Sequence, residues 1–256
     1  MVDLLVVIPV YNEAERIERN TLAVKKYLDD RGVDFNLVLA VDRSPDRSEL
    51  ICVDIANKYE CVHTIINNKK AGRGLAVRNA WDSCDARIYS FIDADLSVGV
   101  ESLYEGFNII KMGKAKFVVG SRYSAGSKTS RPPLRKVVSF SYNIILQKLF
   151  KNNIKDYQCG LKMISADALA PIIASSRVNS WFWDAEIIVL GLKMGYTVYQ
   201  LPVKWKEAKY SKTSLRRLFH DIILHGWGIL LLYKRINLLA KFGNVKNYAA
   251  RPLKKE

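Results

Sequence analysis

Ile88-Tyr89-Ser90-Phe91-Ile92-Asp93-Ala94-Asp95-Leu96 is an apolar run that ends in two carboxylates one residue apart, the pattern of a buried strand stopping at the edge of a site. Period-2 alternation puts Asp93 and Asp95 on one side of the chain if it stays extended there. Like charges at that spacing repel unless a cation lies between them, and a hard divalent ion with oxygen ligands is the usual solution. With most of its coordination sphere open, such an ion is suited to a substrate diphosphate.

Upstream of this stretch, strand and helix signals alternate. Leu4-Leu5-Val6-Val7-Ile8 is a continuous apolar run stopping at Pro9, as in a strand buried on both faces. From Asn12, read as an N-cap, Ala14, Ile17, Val24 and Leu28 recur at helical spacing until Gly32. Residues 35–41 give a second strand, and Asp42-Arg43-Ser44-Pro45-Asp46 turns into a helix that runs to about Tyr59. Residues 62–66 give a third strand, Gly72-Arg73-Gly74 opens a helix through Trp81, and residues 88–92 are the fourth strand. Strict alternation predicts an α/β fold: a mainly parallel twisted sheet with helices on both faces. Ligands of such sheets bind beyond the carboxyl ends of the strands, where Tyr11, Asn12, Glu13, Asp42 and the Asp93/Asp95 pair fall.

Tyr11 suits stacking on a base and Glu13 suits accepting from its exocyclic groups, although both are also ordinary choices at a helix start. Asp42 is either a ligand or an Asx-turn residue. Residues 68–74, with Gly72, Arg73 and Gly74, combine cations with close backbone approach ahead of a helix, a competent phosphate cradle. The stretch lacks the Walker pattern and the third glycine of a dinucleotide fingerprint, which argues against an ATPase and an NAD enzyme.

Charge is uneven along the 256 residues. Up to Gly120, 16 lysines and arginines face 18 acids; beyond it, 24 face 7. A basic second half of that size points to phosphate-bearing partners: nucleic acid, anionic lipid or a phosphorylated substrate. Cys52, Cys61, Cys84 and Cys159 show no zinc-type spacing and fit a reduced, intracellular protein. No run reaches the roughly 20 apolar residues of a membrane span, and Leu4 to Val10 lacks the flanks of a secretory signal, so neither multipass insertion nor export is expected.

Taken together, Val7-Ile8-Pro9-Val10-Tyr11-Asn12-Glu13, Asp42-Arg43-Ser44-Pro45-Asp46, Gly72-Arg73-Gly74-Leu75-Ala76, Asp93-Ala94-Asp95 and Gly120-Ser121-Arg122-Tyr123 resemble, in order and spacing, glycosyltransferase family 2. Asp156-Tyr157-Gln158-Cys159-Gly160-Leu161-Lys162 and Ser211-Lys212 resemble its dolichyl-phosphate mannose and dolichyl-phosphate glucose synthases. The resemblance implies a GT-A fold, an inverting mechanism and a nucleotide-sugar donor. It places Pro9, Tyr11, Glu13, Ala40 and Asp42 in the nucleoside pocket and Mg2+ or Mn2+ on Asp93 and Asp95. Ala94 would touch the nucleotide, and Arg122, Lys206 and Lys212 the donor diphosphate. Relatives commonly carry an acidic pair where this chain has Val41-Asp42, and many carry glutamine at Ser97.

Downstream, residues 127–136 are rich in cations and poor in acids, and Arg131, Arg135 and Lys136 are the candidates for clamping an acceptor phosphate. Val137 to Phe150 reads as an amphipathic helix, lying on lipid or packed on the core. Cys159 reads as a packing residue. A helix opens at Trp181 and runs through Leu192; its Asp184 and Glu186 are the candidates, with Asp95, for catalytic roles, as a base or in positioning the acceptor. A phosphate monoester is already ionised near neutrality, so alignment and leaving-group stabilisation suffice for it. Ile222 to Tyr233 is the densest apolar stretch, roughly 18 Å as a helix and too short to span; it either lies at a membrane interface or packs on protein.

The expected organisation is a GT-A catalytic domain over residues 1–213, with a nucleotide-sugar half (1–120) and an acceptor half (121–213). An amphipathic region (214–243) and a basic tail (244–256) follow. The expected activity is transfer of a hexose from a nucleotide sugar to a polyprenyl phosphate at the cytoplasmic face of an anionic membrane, with no nucleic-acid partner. A polysaccharide or sugar acceptor, and a non-catalytic nucleic-acid-binding protein, are the alternatives.

Overall fold

The computed structural model describes residues 1–68, 72–130, 133–206 and 215–241. In chain order the elements are β1 (Val2–Val10), α1 (Ile17–Asp29), β2 (Phe35–Asp42), α2 (Ser48–Lys58), β3 (Val62–Asn67), α3 (Arg73–Trp81), β4 (Ala86–Ile92), α4 (Glu101–Lys111), β5 (Phe117–Ser121), β6 (Lys128–Ser130), α5 (Pro133–Phe150), β7 (Leu161–Ser165), α6 (Ala166–Ser175), α7 (Trp183–Lys193), β8 (Val198–Pro202), β9 (Lys204–Lys206) and α8 (Leu215–Lys241). Seven strands form one sheet in the order β3-β2-β1-β4-β7-β5-β8, and β6 pairs with β9 in a separate ribbon. The alternation of β1 decides the layering. Leu5 and Val7 point into a core that also holds residues of α3, α5, α6, α7 and α8. Leu4, Val6 and Ile8 point into a second core, with α1, α2 and α4. Helices therefore cover both faces of a mainly parallel sheet, as expected.

One strand runs against the rest. β7 is antiparallel to both β4 and β5, while the other pairings within the sheet are parallel. The excursion through α5 returns the chain to the carboxyl edge of the sheet, so β7 starts where β4 ends: Ile92 stands opposite Leu161, and the Asp93 amide donates to the Gly160 carbonyl at 3.0 Å. Reversal of this one strand brings residues 156–162 to the edge already occupied by Asp93 and Asp95.

Several local expectations are corrected. Asn12 is no N-cap: it takes a left-handed φ of 60° in the turn after β1, its amide donates to Ser44 Oγ, and α1 begins at Ile17. The Asp93–Leu96 segment is not extended, because the Leu96 amide closes back on the Asp93 carbonyl and Leu96 itself has φ 50°. The helix expected from Trp181 starts at Trp183. The C-terminal apolar stretch belongs to one 27-residue helix, about 40 Å long. None of the described helices is long and apolar enough to cross a membrane.

Candidate active site

The turn after β1 is built by the turn after β2. Three successive amides, of Asn12, Glu13 and Ala14, donate to Ser44 Oγ, Ser48 Oγ and Asp46 Oδ2 at 3.0, 2.8 and 3.0 Å. The Asp42–Ser48 segment is thus a scaffold that presents Tyr11 and Glu13. Tyr11 is 43 % exposed and stands at the edge beyond Pro9, next to the strand carrying Ala40. Asp42 is buried: Asn67 Nδ2 donates to one carboxylate oxygen at 3.0 Å and the Gly72 amide to the other at 3.1 Å. Its observed work is to tie the ends of β2 and β3 to the Gly72 turn. Glu13 pairs with Arg16 at 2.6 Å, yet its pKa is raised to about 7. Burial is the main cause, and the charges of Asp95, Asp93 and Asp46 add to it against Arg16.

Beyond β4, Asp93 and Asp95 stand half-buried at the site edge. The turn between them is pinned from three sides. Asn20 of α1 donates to the Ala94 carbonyl at 2.7 Å, Ser97 donates to Asp95 through its amide (2.9 Å) and hydroxyl (2.6 Å), and the Lys206 amide donates to the Ser97 carbonyl at 3.0 Å. Burial raises the pKa of Asp93, and Asp95 and Asp184 add to the rise while Arg73 opposes it. Gly160 supports Asp93 from behind, where a Cβ would lie 2.0 Å from Asp93 Oδ2.

Arg73 is the centre of the arrangement, and it is not in a surface cradle. Its guanidinium is buried, 3.0 Å from Asp93 and 3.4 Å from Asp184, over the rings of Phe91 (4.6 Å) and Trp181 (4.7 Å). Lys162, fully buried, donates to the Tyr157 and Cys159 carbonyls and sits 3.2 Å from Asp184; burial pushes its pKa down while Asp184 pulls it up. Arg73 Nε and Asp184 Oδ1 are buried without hydrogen bonds, while Arg73 Nη2 is the atom paired with Asp93 Oδ1. Buried polar atoms without partners are uncommon in folded proteins, and catalytic and ion-binding sites are among the places where they occur.

Two expected roles do not survive the geometry. Arg122 is buried and forked onto Asp156, with Nε donating to Oδ2 at 2.7 Å and Nη2 to Oδ1 at 2.8 Å, so these two nitrogens are taken up by Asp156 and not by a diphosphate. Burial works against its charge, and Asp156 more than restores it, raising the Arg122 pKa. Glu186 is fully buried and accepts from Ser176 Oγ, the amides of Arg177 and Val178, and Arg235, so it is a structural carboxylate and no base. Asp184 is 2 % exposed and held between two cations. Lys206 is exposed at the end of β9, and Lys136 is exposed on α5. Arg131 and Lys212 lie outside the described residues, as does the side chain of Arg135. Cys159 packs under Gly120, and burial pushes its thiol up to about 12.

Asn20, Gly160, Lys162 and Arg235 were not foreseen as site residues. Gly160 and Lys162 stand in the quoted 156–162 motif without a role of their own, and Asn20 left a signal as a polar side chain beside the stripe of Ile17, Val24 and Leu28.

Metal ligation can be tested on the donor set. Asp93 and Asp95 offer hard oxygens, and among the described residues no group of three or more His, Cys, Asp or Glu joins to hold an ion. Two carboxylates with the remaining positions open suit Mg2+ or Mn2+, which keep waters and substrate phosphate oxygens. The residues fit such an ion.

Comparison with known proteins agrees with this geometry. The family model described as glycosyl transferase family 2 matches residues 5–172. Among curated relatives, the glycosyltransferase AglD of Haloferax volcanii is 28 % identical over 90 % of this chain, which spans only 36 % of that protein's length. The dolichyl-phosphate beta-glucosyltransferase of Saccharomyces cerevisiae is 26 % identical over 91 % of this chain and 77 % of its own. Among solved structures, glucosyl-3-phosphoglycerate synthase from Mycobacterium tuberculosis, in complex with Mn2+, UDP and glucosyl-3-phosphoglycerate, matches with TM-score 0.70. It is 15 % identical, and the match covers 91 % of this chain and 80 % of that one. The mannosyltransferase PcManGT from Pyrobaculum calidifontis, in complex with GDP-Man and Mn2+, matches with TM-score 0.56 at 16 % identity, covering 82 % and 60 %. These likenesses show the fold to be of the GT-A type.

Proposed function

The chain belongs to glycosyl transferase family 2, and from that premise we propose that it moves a hexose from a nucleotide sugar to a polyprenyl phosphate, with inversion, at a membrane surface. Tyr11, with Pro9 and Ala40 behind it, stacks on the base, and Glu13 faces the base or ribose. Asp93 and Asp95 hold Mg2+ or Mn2+, which supplies Lewis-acid neutralisation of the diphosphate leaving group. Arg73, paired with Asp93, adds positive charge beside the same region, and Lys206 is exposed at the end of β9.

The observation that carries the acceptor assignment is the state of the two carboxylates that could have served as a base. Asp184 is sealed between Arg73 and Lys162, and Glu186 is bound by its own loop. An alcohol acceptor needs a proton removed, whereas a phosphate monoester attacks as the anion it already is. An acceptor of the second kind suits a site in which neither Asp184 nor Glu186 is free to act as a base. The relatives named for dolichyl-phosphate glucosylation support the same reading.

A lipid acceptor also suits the C-terminal side. Ile223, Leu224, Trp227, Leu230 and Leu231 are exposed along α8, and Val137, Phe140 and Ile145 are exposed on α5. These faces lie on the cytoplasmic leaflet in this reading, with the cations of the second half among anionic headgroups. Transfer from UDP-glucose and GDP-mannose to a polyprenyl phosphate, with a free sugar as the competing acceptor, tests the assignment. Lipid-phosphate product should form from one donor, and Asp95→Ala should lower the rate at least ~100-fold without lowering the melting temperature. Product on the sugar alone, or full activity in a folded Asp95→Ala chain, would overturn it.

A further inference from the structure

We propose that α8 is a positioning element of the donor site, coupled to it through the Arg235–Glu186 pair; this rests on the nucleotide-sugar reading above. Glu186 has no solvent exposure, and three of its four donors come from residues 176–178: Ser176 Oγ at 2.6 Å, the Arg177 amide at 3.0 Å and the Val178 amide at 3.0 Å. The fourth is the Arg235 guanidinium, reaching in from α8. A buried carboxylate stripped of its cation is strongly disfavoured, so losing Arg235 forces the 176–178 segment to open toward water.

The residues just after Val178 touch the donor site directly. The Asn179 carbonyl accepts from the Leu75 amide at 3.3 Å and lies 2.9 Å from where a Cβ on Gly72 would be, and Asn179 Oδ1 accepts from Arg78. Two residues on, the Trp181 ring covers the Arg73 guanidinium, which in turn stands 3.0 Å from Asp93. The series from Arg235 to Asp93 is continuous contact throughout. A second junction lies further up the inner face of α8. Gly228 is pressed against Phe182, a Cβ there being 2.6 Å from the ring, and His225 Nε2 is 3.3 Å from Gln158 Nε2. Both ends of the first turn of α7 are thereby set by α8, whose opposite face is apolar and exposed.

Coupling carried by packed contacts of this kind amounts to roughly 2- to 30-fold in affinity. The test uses the full chain and measures the Kd of UDP and of GDP with Mn2+ by calorimetry, beside thermal melts. Arg235→Gln should lower the melting temperature and, measured well below it on folded chain, weaken binding of whichever nucleotide the parent takes by about tenfold, and Arg235→Lys should restore most of the affinity. Glu186→Gln should weaken binding too, and the double variant should be no worse than Arg235→Gln alone, as members of one contact require. Parent-like affinity in Arg235→Gln, or losses from the two single variants that add independently, would overturn the proposal and leave the donor reading standing. Should Arg235→Gln fail to fold, an unchanged Kd in Glu186→Gln overturns it equally. A parent chain that binds neither nucleotide overturns both readings.

Discussion

Asp93 and Asp95 differ in what already holds them. Among the described residues Asp95 takes hydrogen bonds from Ser97, whereas Asp93 is flanked by Arg73 and backed by Gly160. A methyl group at residue 160 cannot be accommodated, since its carbon would fall 2.0 Å from Asp93 Oδ2 and 3.0 Å from Asp93 Cβ. Gly160→Ala should therefore displace the Asp93 carboxylate and lower turnover more than tenfold, at a stability cost of about 1–3 kcal/mol; parent-like rates would show Asp93 free to move without consequence. Glu13 offers a different kind of check. Its folded-state pKa, about 7, lies above the ordinary 4.5, so the folded chain holds this proton more tightly than the unfolded chain. The associated stability is complete below pH about 4.5 and is lost as pH rises through about 7. In a chelator, Glu13→Gln should gain on the parent by about 1–3 kcal/mol between pH ~4.5 and ~7.5, read from paired melts. A difference that stays flat with pH would mean that neither burial nor the neighbouring acids hold a proton on Glu13.

At the scale of elements, α1 and β7 do more for the site than their sequences declare. Asn20 reaches across 74 residues of sequence to the Ala94 carbonyl. Its replacement by alanine should cost about 1–2 kcal/mol, the penalty of an unmatched buried carbonyl. It should also reduce turnover severalfold by loosening the turn between the two aspartates; melts and initial rates on one preparation separate the two effects, and an unchanged rate would make Asn20 purely structural. The strands of the first half were legible because buried parallel strands are continuous apolar runs, and the four expected there are present. Helix starts were less so: Asn12 has the composition of a cap, but its amide is claimed by Ser44, a residue 32 positions away. The reversal of β7 could not be read, since Leu161–Ser165 is short and strand direction is set by where α5 returns the chain. For the same reason the carboxylates of the first turn of α7 looked available. Only the fold reveals that Lys162, Arg73 and Arg235 are waiting for them.

Across the whole molecule, the donor edge and the exposed apolar faces of α5 and α8 belong to one body, since both helices pack into the same core as α7. Phe150 meets Tyr233 edge-on at 6.2 Å and Tyr142 meets His225 at 5.2 Å, so α5 and α8 lie side by side. Their exposed residues are too many for chance singles, and they sit in the half of the chain where 24 lysines and arginines outnumber 7 acids. Apolar insertion and headgroup attraction respond differently to salt, because only the second is screened within about 10 Å at 0.1 M. Binding to vesicles containing anionic lipid should therefore weaken as salt rises but retain an apolar remainder. Leu230 and Leu231 are each 53 % exposed, and changing both to serine should remove that remainder, lowering vesicle partition roughly tenfold. Co-sedimentation at low and high salt reads both contributions. Turnover of a lipid-linked acceptor should fall in parallel with partition while nucleotide binding stays at the parent value, because the outward face of α8 makes none of the contacts that Arg235 makes inward. Partition indifferent to the two serines would assign the apolar face to a protein neighbour and leave the acceptor to reach the site without a membrane surface.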